Sequence, residues 1–125
     1  MSLDPSVAIQ DAIHLALADL AGGRVRYRHT SKPILPYIEF GDDRVESSYE
    51  YADLSEVEAT IAIYAKDRIE LKELVGEVRE RLDTALAIPE WQVFEYEYLS
   101  TDYETIGGTT EAATVDVRYL LGPSE

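Results

Sequence analysis

Apolar residues recur along this chain with two different periods, and each period predicts a type of element. Over residues 5–20 they recur every three to four positions, the period of a helix that buries one face; the stripe is Ile9, Ala12, Ile13, Ala16, Leu17 and Leu20. Asp4 is placed to cap this helix, and Pro5 suits its first turn because the missing N–H has no partner there. Gly22-Gly23 tolerates the left-handed conformation that ends a helix. We therefore predict a first helix over residues 5–20.

A second stripe of helical period covers residues 68–87. Its centre is Leu74, Val78 and Leu82, and its full set is Leu71, Leu74, Val75, Val78, Leu82, Ala85 and Leu86. Asp67 and Glu70 have capping-box spacing, and Pro89 stops the helix. On the exposed face, Glu77 and Arg81 are one turn apart and can pair. The pattern predicts a long helix with one buried face.

Strict alternation of apolar and polar residues predicts strands. It is clearest over residues 56–65, where the buried face is Val57, Ala59, Ile61 and Ile63. Residues 113–121 alternate in the same way, with Ala113, Val115, Val117, Tyr119 and Leu121 on one face. In residues 94–98, Phe94, Tyr96 and Tyr98 share one face and Glu95 and Glu97 the other. Two shorter strands are predicted at residues 25–28 and 36–41.

The remaining segments read as connections. Residues 29–35 are a polar loop with prolines, and residues 101–110 join the last two strands, with Gly107-Gly108 as the turn. The acidic segment 42–54 is either a strand extension or a mobile loop, and its pattern does not decide. The element order is α-β-β-β-α-β-β. It predicts an α+β fold, one domain over residues 1–125, with a mainly antiparallel sheet and the helices packed on one face.

Composition narrows the classes of function. The 125 residues contain no cysteine, so disulfides and thiolate metal sites are excluded. The formal net charge of −14 disfavours a protein that binds free duplex DNA, which needs a basic face. No stretch approaches the ~20 apolar residues of a membrane span, and the start MSLDPSVAIQ lacks the features of a signal peptide. We expect synthesis in the cytoplasm and no membrane partner.

No catalytic constellation stands out. Only His14 and His29 could act as imidazole bases, the first beside an apolar stripe and the second in a loop without a nearby acid. The carboxylates at Glu39, Asp42 and Asp43 lack the ligand spacing of a calcium loop, and no phosphate-binding loop is present. We expect no catalytic residue, cofactor or metal site.

The tyrosines say more about a possible function than the acidic residues do. Tyr96, Tyr98 and Tyr119 are expected in the core, whereas Tyr49, Tyr51 and Tyr103 fall in segments without a clean period. Loops on a rigid scaffold are natural carriers of contacts. The candidate assembly residues are His29, Lys32, Tyr49, Tyr51, Tyr103 and Ile106. We also expect residues 42–54 and 101–110 to be mobile in the free chain and to become ordered on assembly.

The order of these elements resembles the phage tail terminator (tail-completion) family, including its gene transfer agent members. The resemblance runs over nearly the whole chain. It is carried by the opening amphipathic helix, by Pro36-Tyr37-Ile38-Glu39-Phe40-Gly41, and by a final hairpin. It also includes the second helix, with Glu70, Leu74, Val78, Arg79 and Leu82. The long acidic segment 42–56 departs from the family pattern and could place a different loop at the assembly surface.

The resemblance implies a structural role in a virion or phage-like particle. Such subunits form a homo-hexameric ring at the head-proximal end of the tail tube, end its polymerisation and present a docking face for the head connector or stopper protein. DNA passes through the lumen without specific binding. Two other classes stay open: a small ferredoxin-like ligand-binding or regulatory domain, and an acidic mimic of nucleic acid. An enzyme is the last alternative.

Overall fold

The first helix, α1, spans Pro5–Leu17 in the computed structural model, which describes residues 5–27, 34–47, 54–83, 91–108 and 110–123. The predicted apolar stripe is the buried face, with Ile9, Ala12, Ile13, Leu17 and Leu20 all less than a tenth exposed. The predicted end at Leu20 is three residues too late. A separate 3-10 turn, Leu20–Gly23, follows the helix, and Ala21, Gly22 and Gly23 have positive φ angles that cannot continue a right-handed helix.

Five strands form one sheet, and the α+β fold with a mainly antiparallel sheet is confirmed. The strands are β1 (Val25–Tyr27), β2 (Tyr37–Ser47), β3 (Ser55–Ala65), β4 (Trp91–Ile106) and β5 (Thr110–Pro123). Their spatial order is β1-β2-β3-β5-β4. β1 pairs with β2 in parallel, and the other three pairings are antiparallel.

The second helix, α2, spans Arg68–Asp83. Asp67 accepts a hydrogen bond from the Glu70 amide at 2.8 Å, and Glu70 in return accepts one from the Lys66 amide at 3.3 Å, so the predicted cap forms. The buried residues are Leu71, Val75, Val78 and Leu82. Leu74 is only partly buried, at the margin of the stripe rather than at its predicted centre. The predicted continuation to residue 87, with Ala85 and Leu86, lies outside the described residues.

Two segments without a clean period contain strand: residues 42–47 take the strand extension that the sequence left open, and the connection predicted over residues 101–110 is wrong for residues 101–106. Residues 42–47 extend β2 and pair with residues 55–60 of β3, so this part of the acidic segment is strand. Residues 101–106 belong to β4 and pair with residues 110–115 of β5. Polar residues obscure the strand over residues 101–106, because an exposed sheet edge buries little apolar area and needs no alternation. Gly107 and Gly108 form the predicted turn with positive φ angles of 60° and 76°.

A β-bulge changes which side chains of β4 face the core. The pairing with β5 shifts between Val93 and Glu95, so Phe94 leaves the face that Tyr96 and Tyr98 occupy. Phe94 is 56% exposed, contrary to the prediction that it shares their buried face. Tyr96 and Tyr98 are half-buried against the core, and Tyr119 is 1% exposed, as expected for core residues.

The side chain of Arg81 links the C-terminal ends of the two helices. The Arg81 guanidinium donates to the carbonyl of Ala16, in the last turn of α1, at 3.0 Å. It also binds both carboxylate oxygens of Asp19 at 2.6 and 3.0 Å, and it lies 3.9 Å from the predicted partner Glu77. The bond to Asp19 lowers the pKa of that carboxyl. A cation here stabilises helix-end carbonyls that have no intrahelical partner.

Candidate assembly surface

β4 is an edge of the sheet that the helices cover only in part. It is the last strand in the order, so β5 is its only neighbour among the described strands. The helices pack mainly on β1, β2, β3 and β5, whereas α2 reaches β4 through long side chains such as Arg68 and Arg79. An edge strand presents backbone donors and acceptors that no strand has yet bound. With 16 residues, β4 is long for an exposed edge.

The helix-facing side of β4 carries aromatic residues. Trp91, Val93, Tyr96 and Tyr98 pack against the core while remaining partly exposed. Tyr96 lies 5.1 Å from Tyr119, ring centre to ring centre, and burial raises the pKa of Tyr96. Together with α2, Tyr96 and Tyr98 line an open groove of about 550 Å³.

An arginine side chain lies over an aromatic ring in this groove. The Arg79 guanidinium lies 3.8 Å from the centre of the Tyr98 ring, within the range of a cation–π contact. The Tyr98 hydroxyl is hydrogen-bonded to the hydroxyl of Thr101 in the same strand. Both contacts fix the Tyr98 side chain. The groove therefore has a rigid aromatic wall and an exposed guanidinium.

The opposite side of β4 is acidic. Glu95, Glu97, Asp102 and Glu104 are exposed, and each pairs in register with a residue of β5 that faces away from the helices. Arg118 on β5 forms ion pairs with three carboxylates. The distances are 2.7 Å to Glu56, 3.0 Å to Glu97 and 3.3 Å to Glu95. Its hydrogen bond to Glu56 is the main reason that the pKa of Arg118 is raised. One guanidinium cannot neutralise three carboxylates, so this side keeps a net negative charge.

Exposed apolar side chains concentrate on the same strand. Among the described residues, four of the eight exposed large apolar side chains lie on β4: Phe94, Leu99, Tyr103 and Ile106. Phe94 packs over Gly122, where a Cβ atom would come within 2.4 Å of its ring. Isolated apolar residues on a surface are ordinary, whereas four on one edge strand make that strand a candidate contact surface.

The structure brings together two of the six candidate residues that the sequence singled out. Tyr103 and Ile106 lie on β4 near the hairpin tip, 40% and 42% exposed. The Arg68 guanidinium of α2 lies 5.6 Å from the Tyr103 ring centre. His29, Lys32, Tyr49 and Tyr51 lie outside the described residues, so for them the assembly role stays a prediction. Sequence reasoning missed Phe94 and Leu99, because only the bulges in β4 show that these side chains leave the core.

The described residues offer little for other kinds of site. No group of three or more His, Asp or Glu residues within them could hold a metal ion. His14, one of two histidines in the sequence, is exposed on α1, with its ring 5.8 Å from that of Phe40. Neither described helix is long and apolar enough to cross a membrane.

Comparison with known proteins gives a match at the level of structure. No family model and no curated protein matches the chain. Among solved structures, the chain is similar to one from the virion of a native gene transfer agent (GTA) particle, with a TM-score of 0.80 and 16% sequence identity. The match covers 97% of this chain and 99% of the other. At this identity the likeness shows a shared fold, and it extends over nearly the full length of both chains.

Proposed function

We propose that this protein is a structural subunit of a phage-like particle, and that it acts as a tail terminator. In this proposal it forms a homo-hexameric ring at the head-proximal end of the tail tube, stops tube polymerisation and offers a docking face to the head connector or stopper protein. No catalysis is involved. Binding surfaces alone perform the function.

The observation that carries the proposal is the full-length likeness to a chain of a gene transfer agent virion. A shared fold by itself does not transfer a function. Two further observations point the same way. The element order in the sequence resembles the tail terminator family, and the exposed apolar residues of β4 form a surface suited to assembly.

The acidic side of the sheet fits a channel through which DNA passes. Carboxylates on β3 and β4, including Glu56, Glu97, Asp102 and Glu104, oppose the binding of a phosphate backbone. A ring that turned this side towards its lumen would let DNA move without trapping it. The net charge of −14 agrees with such a role.

A second candidate function is a small ligand-binding domain. The observation in its favour is the groove between α2 and β4, where Arg79 and Tyr98 could hold an anionic or aromatic molecule. The two functions differ in oligomeric state. A ligand-binding domain of this kind stays small, whereas a tail terminator forms rings.

Deletion of the gene in a host that produces the particles tests the proposal. We expect tails of uncontrolled length, or tails that do not join heads, in electron micrographs. Expression of the wild-type chain in trans is the control and should restore normal particles. Normal tails with attached heads in the deletion strain would refute the proposal. Rings of the purified 14.0 kDa chain, with six times its mass, would support it independently.

A further inference from the structure

The stretch of β4 next to the hairpin turn is the most regular part of its edge. Two bulges interrupt the pairing of β4 with β5, and both lie before Ser100. From Ser100 to Ile106 the register continues without a shift. Bulges hinder further pairing at a sheet edge, because they twist the strand and disrupt its row of hydrogen-bonding groups. Residues 100–106, called the regular edge below, are therefore the part of β4 best suited to pair with another strand.

The side of the regular edge that faces away from the helices carries two carboxylates. Asp102 and Glu104 are exposed there, and neither forms an ion pair with another described residue. Register places uncharged residues beside them on two successive strands, Thr114 and Ala112 of β5 and then Ala62 and Tyr64 of β3. Within the described part of the sheet, no neighbouring cation offsets these two charges.

The helix-facing side of the regular edge has an aromatic residue at its centre. Tyr103 is 40% exposed, and the Arg68 guanidinium lies 5.6 Å from its ring centre. Arg68 is itself held by the Glu111 carboxylate at 3.3 Å, and Glu111 accepts a hydrogen bond from the Thr105 hydroxyl at 2.8 Å. These contacts fix a cation beside the Tyr103 ring. The exposed part of the ring stays accessible to a side chain on an adjacent strand.

The alternation of these side chains defines what an added strand must carry. In an antiparallel pair, residues directly opposite each other have Cβ atoms about 4.5–5.5 Å apart and share one face of the sheet. The residues opposite Asp102 and Glu104 would lie on the acidic side, where Lys or Arg can form ion pairs. The residue between them would lie opposite Tyr103, where a β-branched side chain packs well against an aromatic ring. The matching pattern is basic, apolar, basic.

We infer that the regular edge binds an extended segment of another protein with this basic-apolar-basic pattern, as an added antiparallel strand. Backbone hydrogen bonds give such a contact its affinity, and the alternate side chains give it specificity. The inference deepens the proposed assembly role of β4, on which it rests, because it names the chemistry of the partner. Asp102 and Glu104 select the partner by charge.

A second copy of β4 does not match this edge. If two copies paired antiparallel about Tyr103, Asp102 of each copy would lie opposite Glu104 of the other. Like charges directly opposite each other destabilise a strand pair. Charged residues at sheet edges are a common protection against pairing of identical chains. The two carboxylates therefore oppose self-pairing and favour a basic strand.

The chain's own β1 does not match either, although residues 24–26 have the required order of residue types. Val25 is 5% exposed and belongs to the core of its own chain, so it cannot pack against Tyr103 of a neighbour. The Arg24 side chain donates to the carbonyl of Pro36 at 2.8 Å. The strand that fits the regular edge is therefore expected from a different protein.

A synthetic peptide tests the inference on the full chain. The probe is the acetylated and amidated peptide Ser-Thr-Lys-Val-Lys-Thr-Ser, and the matched control has Glu in place of both Lys. Titration of the isotope-labelled chain, followed by NMR, measures the affinity. We expect the Lys peptide to shift the amide signals of residues 100–106 and the Glu peptide to bind at least about tenfold more weakly, because its charges repel Asp102 and Glu104.

Neutral variants of the chain test the same contact from the other side. Asp102→Asn with Glu104→Gln should bind the Lys peptide at least about tenfold more weakly than wild type, since the ion pairs are lost. The control Asp11→Asn with Glu73→Gln removes the same charge from exposed helix positions and should bind like wild type. Circular dichroism checks that each variant is folded. Equal affinity of all three chains for the Lys peptide would overturn the selection by these two acids.

Hydrogen exchange distinguishes strand addition from simple attraction to an acidic surface. Bound as a strand, the Lys peptide should slow the exchange of alternate amides in residues 100–106, because these amides gain backbone partners. Unchanged exchange with the peptide bound, or no binding of the peptide, would overturn the inference. Protection of the same amides in concentrated wild-type chain without peptide would overturn it in favour of a second copy. The deletion phenotype tests the tail-terminator role separately from all these measurements.

Discussion

The Tyr119 hydroxyl donates a hydrogen bond to the backbone carbonyl of Leu82 over 3.3 Å. Tyr119 is 1% exposed on β5, and Leu82 is next to the last residue of α2. The carbonyls of a final helical turn have no partner within the helix, so a buried one needs a donor from elsewhere. This bond satisfies both groups and joins the end of α2 to the sheet.

Tyr119→Phe should lower the free energy of unfolding by about 0.5–1.5 kcal/mol, because the Leu82 carbonyl loses its buried donor while the ring still fills its space. Urea denaturation monitored by circular dichroism measures the change, with an unchanged slope against urea concentration. A midpoint equal to that of wild type would show that water replaces the hydroxyl.

Alkaline pH should destabilise the fold through two tyrosines. Burial raises the pKa of Tyr37 to about 12 and raises the pKa of Tyr119 still further. Their pKa values in the unfolded chain are about 10. The folded state therefore holds these protons more tightly, and its stability is complete below pH ~10 and falls as the pH rises through ~12. Unfolding free energies measured between pH 8 and 12 should show this fall. In the double variant Tyr37→Phe/Tyr119→Phe, the unfolding free energy should fall less steeply with pH. A fall as steep as that of wild type would show that these two tyrosines do not cause the pH dependence.

Leu71 and Leu74 on α2 provide a matched pair for the core. Leu71 is 0% exposed, whereas Leu74 is partly buried beside the core. Leu71→Ala should cost ~2–5 kcal/mol, because it removes buried methyl groups and leaves a cavity. Leu74→Ala should cost clearly less, since neighbouring water can fill the space. Equal losses in a denaturation series would mean that Leu74 is buried after all.

Two glycines should respond to alanine in opposite directions. Gly76 is exposed within α2 with no atom within 4 Å of a Cβ, so Gly76→Ala should stabilise by about 0.5–1 kcal/mol through helix propensity. At Gly122, a Cβ would lie 2.4 Å from the Phe94 ring and 2.7 Å from the Leu54 side chain. Gly122→Ala should destabilise by ~1–3 kcal/mol. Adding Phe94→Ala should recover part of that loss, and no recovery would show that Phe94 is not the obstacle.

Hydrogen exchange should find residues 101–106 structured in the free chain. The sequence predicts a mobile connection there, but the strand pairs with residues 110–115 of β5. Amides that donate to β5 should exchange slowly, and the alternate amides on the open edge of β4 should exchange quickly. Fast exchange at all positions would support the original expectation of a mobile loop.

Most of the fold could be predicted because buried faces impose a period on the sequence. The alternation of Val57, Ala59, Ile61 and Ile63 predicted β3, and all four side chains are buried. The stripe of α2 and its Asp67 cap were predicted in the same way. At Phe94 the same reasoning was wrong, because a bulge shifts the side-chain alternation without leaving a mark in the pattern of residue types.

The candidate surface was harder to predict than the core. Tyr103 and Ile106 stood out by type and by their irregular surroundings, yet they lie on a paired strand rather than on a loop. Nothing in the local pattern marks an edge strand. That status depends on which strands pair across the sheet, and the order β1-β2-β3-β5-β4 puts strands far apart in sequence next to each other.

The sequence by itself determined the element types, their order and the two helical faces, because these depend on contacts between residues a few positions apart and on burial against a single core. It also determined the distribution of charge, with basic residues at 24–32 and acidic residues at 91–106. Only the tertiary structure decided that β1 and β4 form opposite edges of one sheet, that Arg118 pairs with three carboxylates, and that Arg81 joins the ends of both helices. Such relationships connect residues from 21 to 65 positions apart or more, and long-range pairing has no signature in a local period.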